Sequence, residues 1–178
     1  MKNDLSKILI DSENLQNKIR EIGEQISIDY EDKNLVLICI LRGAVMFLSD
    51  LLKNISIPVT IDFLSVSSYG QSTESSGVVK IRKDIDTDIS NCHVIVVEDI
   101  VDSGLTLKYI HDYLKQHQPA SVKTCALLDK SEAHQISLNI DYSGFQIGND
   151  FVVGFGLDYA EKYRNLPYIG ILKKEIYT

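Results

Sequence analysis

The sequence is poor in the residues and patterns that mark several classes of protein. Its 178 residues include three cysteines, three prolines and no tryptophan. Cys39, Cys92 and Cys125 lie far apart without a CxxC pair, and HExxH is also missing, so we expect neither a disulfide framework nor a zinc site. Cys39 and Cys125 lie in apolar runs, which is typical of buried free thiols in a reducing compartment.

Long apolar segments and an excess of positive charge are missing too. The run Ile8–Ile10 is too short for a signal peptide or a membrane span, so we expect a cytoplasmic protein. The net charge of −7 argues against a protein that coats nucleic acid, although it leaves room for a local basic site. We therefore expect neither nucleic acid nor a membrane as a partner.

Apolar periodicity predicts strands and helices that alternate along the chain. Predicted strands are 35–41, 59–68, 78–84, 92–97, 121–129 and 151–159, with a last short strand within 169–177. One predicted helix begins after a cap at Asp11 or Ser12, and two more occupy 44–54 and 105–117. The alternation indicates an α/β domain with a mostly parallel sheet, in which ligands bind beyond the carboxyl ends of the strands.

Charged side chains follow several of the apolar runs, where such a ligand site is expected. They are Arg42, Glu98, Asp99, Lys130 and Asp158. Between two of the predicted strands, residues 69–77 are polar and rich in glycine and serine, which predicts a loop.

The segment Asp102–Thr106 joins a strand end to the start of a predicted helix. Helix N-termini bind phosphate through free backbone N–H groups, and Gly104 lets the backbone approach an anion closely. Ser103 and Thr106 add hydroxyl donors. The alternative is a simple N-cap formed by Asp102 or Ser103.

Capping does not explain Glu98 and Asp99, two adjacent acids at the end of a buried strand. Carboxylates bind Mg²⁺ together with phosphate oxygens, and they also accept hydrogen bonds from sugar hydroxyls. Acids beside a phosphate-binding turn predict a site for a phosphorylated ribose. Neither GxxxxGK[ST] nor GxGxxG occurs in the chain.

The stretch VIVVEDIVDSGLT, residues 94–106, resembles the 5-phosphoribosyl pyrophosphate (PRPP) signature of type I phosphoribosyltransferases. Four further motifs resemble, in order, those of the hypoxanthine-guanine phosphoribosyltransferase family: Leu41–Ala44, Ser68–Gly70, Leu128–Lys130 and Phe151–Tyr159. The resemblance covers residues from about 35 to 170.

The resemblance implies a Rossmann-like fold with a mostly parallel twisted central sheet flanked by helices. It also implies a small hood lobe and a long mobile loop that closes over the site. We expect one domain over residues 1–178, with the hood built from N-terminal and C-terminal segments. The family forms homodimers and homotetramers.

The family transfers the phosphoribosyl group of PRPP to a 6-oxopurine, giving IMP or GMP and pyrophosphate, with Mg²⁺ as cofactor. By resemblance, Glu98 and Asp99 hold the ribose hydroxyls and Mg²⁺. Asp102 matches the general base and is also one of the PRPP-binding residues. A carboxylate crowded by two others is expected to have a raised pKa, which suits a base. Ser103, Gly104, Leu105 and Thr106 match the loop that binds the 5′-phosphate.

The pyrophosphate and purine positions also follow from the resemblance. Pyrophosphate contacts match Leu41, Arg42, Gly43, Ser68, Tyr69 and Arg164, and the family has a cis peptide at Leu41–Arg42. Purine contacts match Lys130, Phe151, Val152 and Asp158, with Lys130 donating to O6 and Phe151 stacking on the base. Asp158 also matches a ligand of a second Mg²⁺. Taken without the family, Phe151 reads as a core aromatic, and a solvated loop charge stays open as an alternative for Arg42.

Two other functions stay open at this stage. A phosphoribosyltransferase for xanthine or adenine is one, although Lys130 argues against adenine because its amino group would leave the lysine unpaired. The other is a regulatory RNA- or DNA-binding protein that reuses the fold. The acidic composition, the absence of a DNA-binding extension and the intact Asp102 argue against the second.

Overall fold

The computed structural model describes residues 1–68 and 79–178. In chain order the helices and strands are β1 (Leu5–Ile10), α1 (Ser12–Asp29), β2 (Leu35–Leu41), α2 (Val45–Leu52), β3 (Thr60–Ser68), β4 (Val79–Lys83), β5 (His93–Val101), α3 (Leu105–Lys115), β6 (Ser121–Asp129), β7 (Tyr142–Gln146), β8 (Val152–Val153), β9 (Ile169–Leu172) and α4 (Lys174–Tyr177). Short 3₁₀ turns occupy Lys2–Asp4 and Ser131–Ala133.

The main sheet has six strands in the order β4-β3-β2-β5-β6-β7. The pairs β2–β3, β2–β5, β5–β6 and β6–β7 are parallel, and only the edge pair β3–β4 is antiparallel. The predicted α/β fold with a mostly parallel central sheet is therefore confirmed. The strand order reverses at β2 and β5, which is where ligands bind in open sheets of this kind.

Strand β2 shows why a continuous apolar run is needed at the centre of the sheet. Leu35, Leu37 and Cys39 pack on one face against α1 and α2, whereas Val36 and Ile38 pack on the other face with residues of α3. Successive strand residues point to opposite faces, so a strand covered on both faces must be apolar at every position.

The first helix begins as predicted. The Asp11 side chain accepts a hydrogen bond from Asn14 N at 2.8 Å and caps α1. The residues that recur at helical spacing, Leu15, Ile19, Ile22 and Ile26, are buried. They form the apolar stripe that holds the helix on the sheet.

A second sheet combines both ends of the chain. Its strands are antiparallel in the order β1-β9-β8. We propose that this sheet is the hood lobe within a single domain. The sequence reading missed β1, and it also missed β7 at the edge of the main sheet.

The predicted strand over 151–159 is wrong beyond its first residues. Only Val152–Val153 forms a strand, and the chain then turns through Gly154 and Gly156, which have φ of +104° and +102°. Such backbone angles are accessible mainly to glycine and cannot continue a strand. The two glycines indicate the end of the strand, but the apolar residues around them favour a longer one.

Two other boundaries differ from the prediction. Strand β5 runs on to Val101, so Glu98 and Asp99 lie within the strand rather than after it. The expected last strand ends at Leu172, and α4 follows it. The predicted mobile loop over 69–77 lies outside the described residues. Within the described ranges, no helix is long and apolar enough to cross a membrane.

Candidate active site at the strand ends

A cavity of about 250 Å³ opens where β2 and β5 end. Pairing between the two strands stops at Cys39 and Val97, although both strands continue past that point. The cavity lies beside the parts of the two strands that continue past this point. The cavity is lined by Ile40, Leu41, Val66, Glu98, Ile100, Val101, Asp102, Ser103, Gly104, Thr106 and Leu107.

The two adjacent acids in β5 are held in a region of low polarity. Glu98 is buried, and its burial together with the neighbouring Asp99 raises the pKa of Glu98 well above its usual range. Burial also raises the pKa of Asp99, to about 6. The backbone N–H of Ile100 donates to Asp99 Oδ1 at 2.9 Å, which favours the ionised form but does not offset the burial.

The strand-end acids fit a magnesium ion that is shared with a ligand. Over residues 1–68 and 79–178, no group of three or more His, Cys, Asp or Glu side chains is arranged to hold a metal alone. Mg²⁺ is usually held by one or two carboxylates and completes its shell with substrate oxygens and water. Glu98 and Asp99 supply such carboxylates, and a cation beside them would favour their ionised forms.

We expect Asp99→Asn to stabilise the ligand-free protein increasingly as the pH rises from about 4 to 7. The folded pKa near 6 exceeds the ordinary value of 3.8, so the folded chain binds this proton more tightly and loses stability as the pH rises through that window. Asparagine keeps the acceptor for Ile100 without the charge. The gain at pH 7 should be about 1–3 kcal/mol in urea unfolding. A difference between the variants that does not change with pH would contradict the prediction.

The turn that the sequence predicts to bind phosphate lies at the start of α3. Gly104 is the N-cap residue with φ of +82°, and a Cβ there would overlap the side chain of Leu138. No side chain accepts a regular capping bond, although Ser103 Oγ accepts a long one of 3.4 Å from Leu105 N. Asp102 is not the cap, so the simple capping alternative does not account for it. The turn therefore lines the cavity at the N-terminal end of α3.

Asp102 and Lys130 lie together although 28 positions separate them in the sequence. Lys130 Nζ is 3.8 Å from Asp102 Oδ2, and their side chains are 13% and 63% exposed. The backbone N–H of Lys130 donates to Val101 O at 2.9 Å, which joins the ends of β5 and β6. The expected crowding of carboxylates falls on Glu98 and Asp99 rather than on Asp102, which extends from the strand toward solvent.

The turn after β2 contacts the turn after β8. The Leu41–Arg42 peptide bond is cis. A Cβ at Gly43 would overlap the Asp99 carboxylate, and a Cβ at Gly156 would overlap the carbonyl oxygen of Gly43. Glycine at both positions therefore allows the two turns to approach each other and the acids of β5.

Arg164 and Asp158 form the second charged group of the site. Arg164 Nη2 lies 2.8 Å from Asp158 Oδ1, and Arg164 Nη1 donates to Gly156 O at 2.8 Å. Arg42, from the other turn, lies 2.9 Å from Glu161. Asp158 helps to raise the pKa of Asp99, whereas Arg164 opposes that rise. The predicted pyrophosphate and magnesium residues are thus electrostatically coupled to the β5 acids.

Two of the predicted purine residues, Phe151 and Val152, lie at the start of β8 in the second sheet. Phe151 is partly buried, and its ring stacks on Tyr177 with a centroid distance of 4.8 Å and an angle of 24°. Tyr159 meets the same ring edge-on at 5.6 Å. Val152 is buried in β8 opposite Ile171.

Ser68 and Tyr69, which the sequence predicts as pyrophosphate contacts, add little to the description of the site. Ser68 ends β3, where it is paired in register with Val79. Tyr69 lies outside the described residues.

Three residues of the site were missed by reading the sequence: Glu161, Tyr177 and His134. Glu161 contacts both arginines of the two turns. His134 Nε2 lies 2.8 Å from Asp129 Oδ1, next to Lys130. Local patterns do not predict the contacts of Glu161 with Arg42 and of Tyr177 with Phe151, because the fold alone brings those segments together, whereas Glu161 and Arg164 are only three positions apart.

The family model described as phosphoribosyl transferase domain matches residues 7–160. The chain belongs to the phosphoribosyltransferase family.

Individual relatives show which members of the family the chain resembles. The chain is 49% identical over 178 residues to a hypoxanthine-guanine phosphoribosyltransferase of Streptococcus thermophilus, covering all of this chain and 99% of the relative. It is 50% identical to the bifunctional protein TilS/HprT of Listeria innocua, of which it spans only 28%. A crystal structure of a Staphylococcus aureus hypoxanthine phosphoribosyltransferase superposes with a TM-score of 0.97 at 46% identity, covering 100% of this chain and 97% of that one. Within the family, the chain groups with the hypoxanthine-guanine phosphoribosyltransferases, as its motifs predict.

Proposed function

We propose that this chain is a purine-salvage enzyme that transfers the 5-phosphoribosyl group of PRPP to hypoxanthine, guanine or both. The products are IMP or GMP and pyrophosphate. The observation that carries the proposal is the cavity at the ends of β2 and β5, which combines Glu98 with the Asp102–Thr106 turn. An acid pair next to an anion-binding helix start fits a ribose phosphate better than it fits a free sugar or a free phosphate.

In this proposal the turn binds the 5′-phosphate, and the β5 acids bind the ribose. Ser103, Gly104, Leu105 and Thr106 present backbone N–H and hydroxyl donors at the positive end of α3. Glu98 and Asp99 accept from the ribose hydroxyls and hold Mg²⁺, which would supply positive charge to the leaving diphosphate. The cationic sugar that forms as the bond breaks is stabilised by the same carboxylates.

The diphosphate of PRPP would lie between the two turns. Arg42 and Arg164 carry the positive charge there, and Leu41 and Gly43 shape the first turn. Asp158 would hold a second Mg²⁺ near the diphosphate. Ser68 and Tyr69 complete this set in the proposal.

The purine would bind between Lys130 and the aromatic cluster of Phe151. Lys130 donates to O6, Phe151 stacks on the ring, and the backbone at Val152 reads the base edge. Asp102 lies 3.8 Å from Lys130, so a purine held by the lysine is within reach of the Asp102 carboxylate. The carboxylate can then take or share a proton of the purine.

The test is a steady-state absorbance assay with PRPP and Mg²⁺, in which hypoxanthine, guanine, xanthine and adenine are offered separately. We expect turnover with hypoxanthine or guanine and little with adenine, because adenine leaves the Lys130 donor unpaired. No turnover with any purine, from folded protein that still binds PRPP, would refute the proposed function. Removal of Mg²⁺ by a chelator should stop the reaction.

We expect Lys130→Gln to lower kcat/KM for hypoxanthine by about ten- to a hundred-fold, the range for loss of a hydrogen bond from a charged donor. The KM for PRPP should change little. Lys123→Gln, near the other end of β6, is the matched control. Equal kcat/KM values for Lys130→Gln and this control would remove Lys130 from base recognition.

We also propose that the chain acts in the cytoplasm as a homodimer or homotetramer. Sedimentation equilibrium of the purified protein measures the assembly state directly.

A further inference from the structure

The turn between Asp158 and Arg164 holds Glu161 between the two arginines that the proposed function assigns to pyrophosphate. Glu161 Oε2 lies 2.9 Å from Arg42 Nη1. The other oxygen, Oε1, lies 3.6 Å from Arg164 Nη2. The two oxygens of one acid thus contact two cations from distant parts of the chain, as two oxygens of a diphosphate would do.

The backbone directs Glu161 toward the arginines. Ala160 and Glu161 have φ of +50° and +60°, a left-handed conformation that costs a residue other than glycine about 1–3 kcal/mol. Glu161 N donates to Asp158 Oδ2 at 2.9 Å, and Tyr163 OH donates to Asp4 Oδ2 at 3.1 Å. These bonds hold the turn in a strained form, so the position of Glu161 is set by the fold.

The charges of this cluster balance when no ligand is bound. Arg42 and Arg164 are matched by Asp158 and Glu161. The side chains of Arg42 and Glu161 are 71% and 67% exposed. Ion pairs this exposed contribute about 0.2–1 kcal/mol, so they exchange readily for a ligand that carries several negative charges.

We propose that Glu161 is an internal counter-anion that pairs with Arg42 and Arg164 in the ligand-free chain and is displaced by the diphosphate of PRPP or by pyrophosphate. Glu161 therefore weakens the binding of both ligands and helps pyrophosphate to leave after the reaction. It is a positioning residue, because it acts on the substrate through the arginines. This inference rests on the proposed function, which assigns those arginines to the diphosphate.

Glu161→Gln tests the counter-anion role, because glutamine keeps the shape of the side chain and removes its charge. The KM for PRPP and the inhibition constant for pyrophosphate should fall together by about three- to ten-fold. The KM for hypoxanthine should stay within about two-fold, since the base binds apart from the arginines. At about 0.5 M salt the variant and the wild type should converge, because exposed ion pairs are screened.

Glu21→Gln is the matched control, since Glu21 is 69% exposed and pairs with Lys18 at 2.7 Å on α1, away from the site. In this control, the KM for PRPP and the inhibition constant for pyrophosphate should equal those of the wild type. Unchanged or higher constants for PRPP and pyrophosphate in Glu161→Gln, beside an active wild type, overturn the counter-anion role. A wild type that neither turns over nor binds PRPP in titration calorimetry overturns the proposed function and this inference together.

Discussion

Asp102→Asn is expected to lower kcat by about 10²- to 10⁴-fold, the usual contribution of a general acid or base. Asp102 lines the cavity at the end of β5 and is 63% exposed, with its Oδ2 3.8 Å from Lys130 Nζ. Asparagine fills the same volume but cannot accept the proton of the base. The constant for PRPP binding, measured by calorimetry, should stay within about three-fold, because the phosphate turn and the β5 acids are unchanged.

One comparison separates the loss of the base from a general disturbance of the site. Glu132→Gln removes an exposed acid from the turn after Lys130 and should leave kcat unchanged. A loss of less than ten-fold in kcat of Asp102→Asn, or an equal loss in this control, would show that Asp102 is not the base.

Gly156→Ala is expected to destabilise the fold by about 2–4 kcal/mol and to lower kcat/KM for PRPP. The residue has φ of +102°, and an added Cβ would overlap the carbonyl oxygen of Gly43. The strained backbone costs about 1–3 kcal/mol, and the forced separation of the two turns costs a similar amount. For a chain of this size, Tm should fall by roughly 5–15 °C in calorimetry.

Gly148→Ala is the matched control for that substitution. A Cβ at Gly148 meets nothing within 4 Å, so its Tm should change by less than about 2 °C. The activity of Gly156→Ala is measured well below its Tm, where the protein is folded. Full activity and an unchanged Tm would mean that the two turns need not touch for the site to form.

The mostly parallel sheet was predictable because its signals are local. The apolar run of β2 has no polar position, and such a run is stable only when both faces of the strand are covered. The stripe of α1 has a spacing that matches the helical repeat. The strand over 151–159 was mispredicted because its apolar pattern outweighed Gly154 and Gly156, which have positive φ and lie against the backbone of Tyr168 and Gly43.

The candidate site was predictable in part. Glu98, Asp99 and the Asp102–Thr106 turn are close in sequence, so one segment carries the acids and the phosphate turn together. The sequence did not indicate which acid is buried. Because β5 extends to Val101, burial falls on Glu98 and Asp99 and raises the pKa of both, whereas Asp102 stays 63% exposed.

The sequence by itself therefore determined the alternation of strands and helices, the family and the segments that carry charge at strand ends. These properties depend on neighbours within a few positions, which a linear reading contains. Only the tertiary structure decided which charges meet: Lys130 with Asp102, and Glu161 with Arg42, 119 positions away. Pairs of this kind form because parallel strands deliver their carboxyl ends to one edge and because turns of the two sheets pack against each other. No local pattern encodes that proximity.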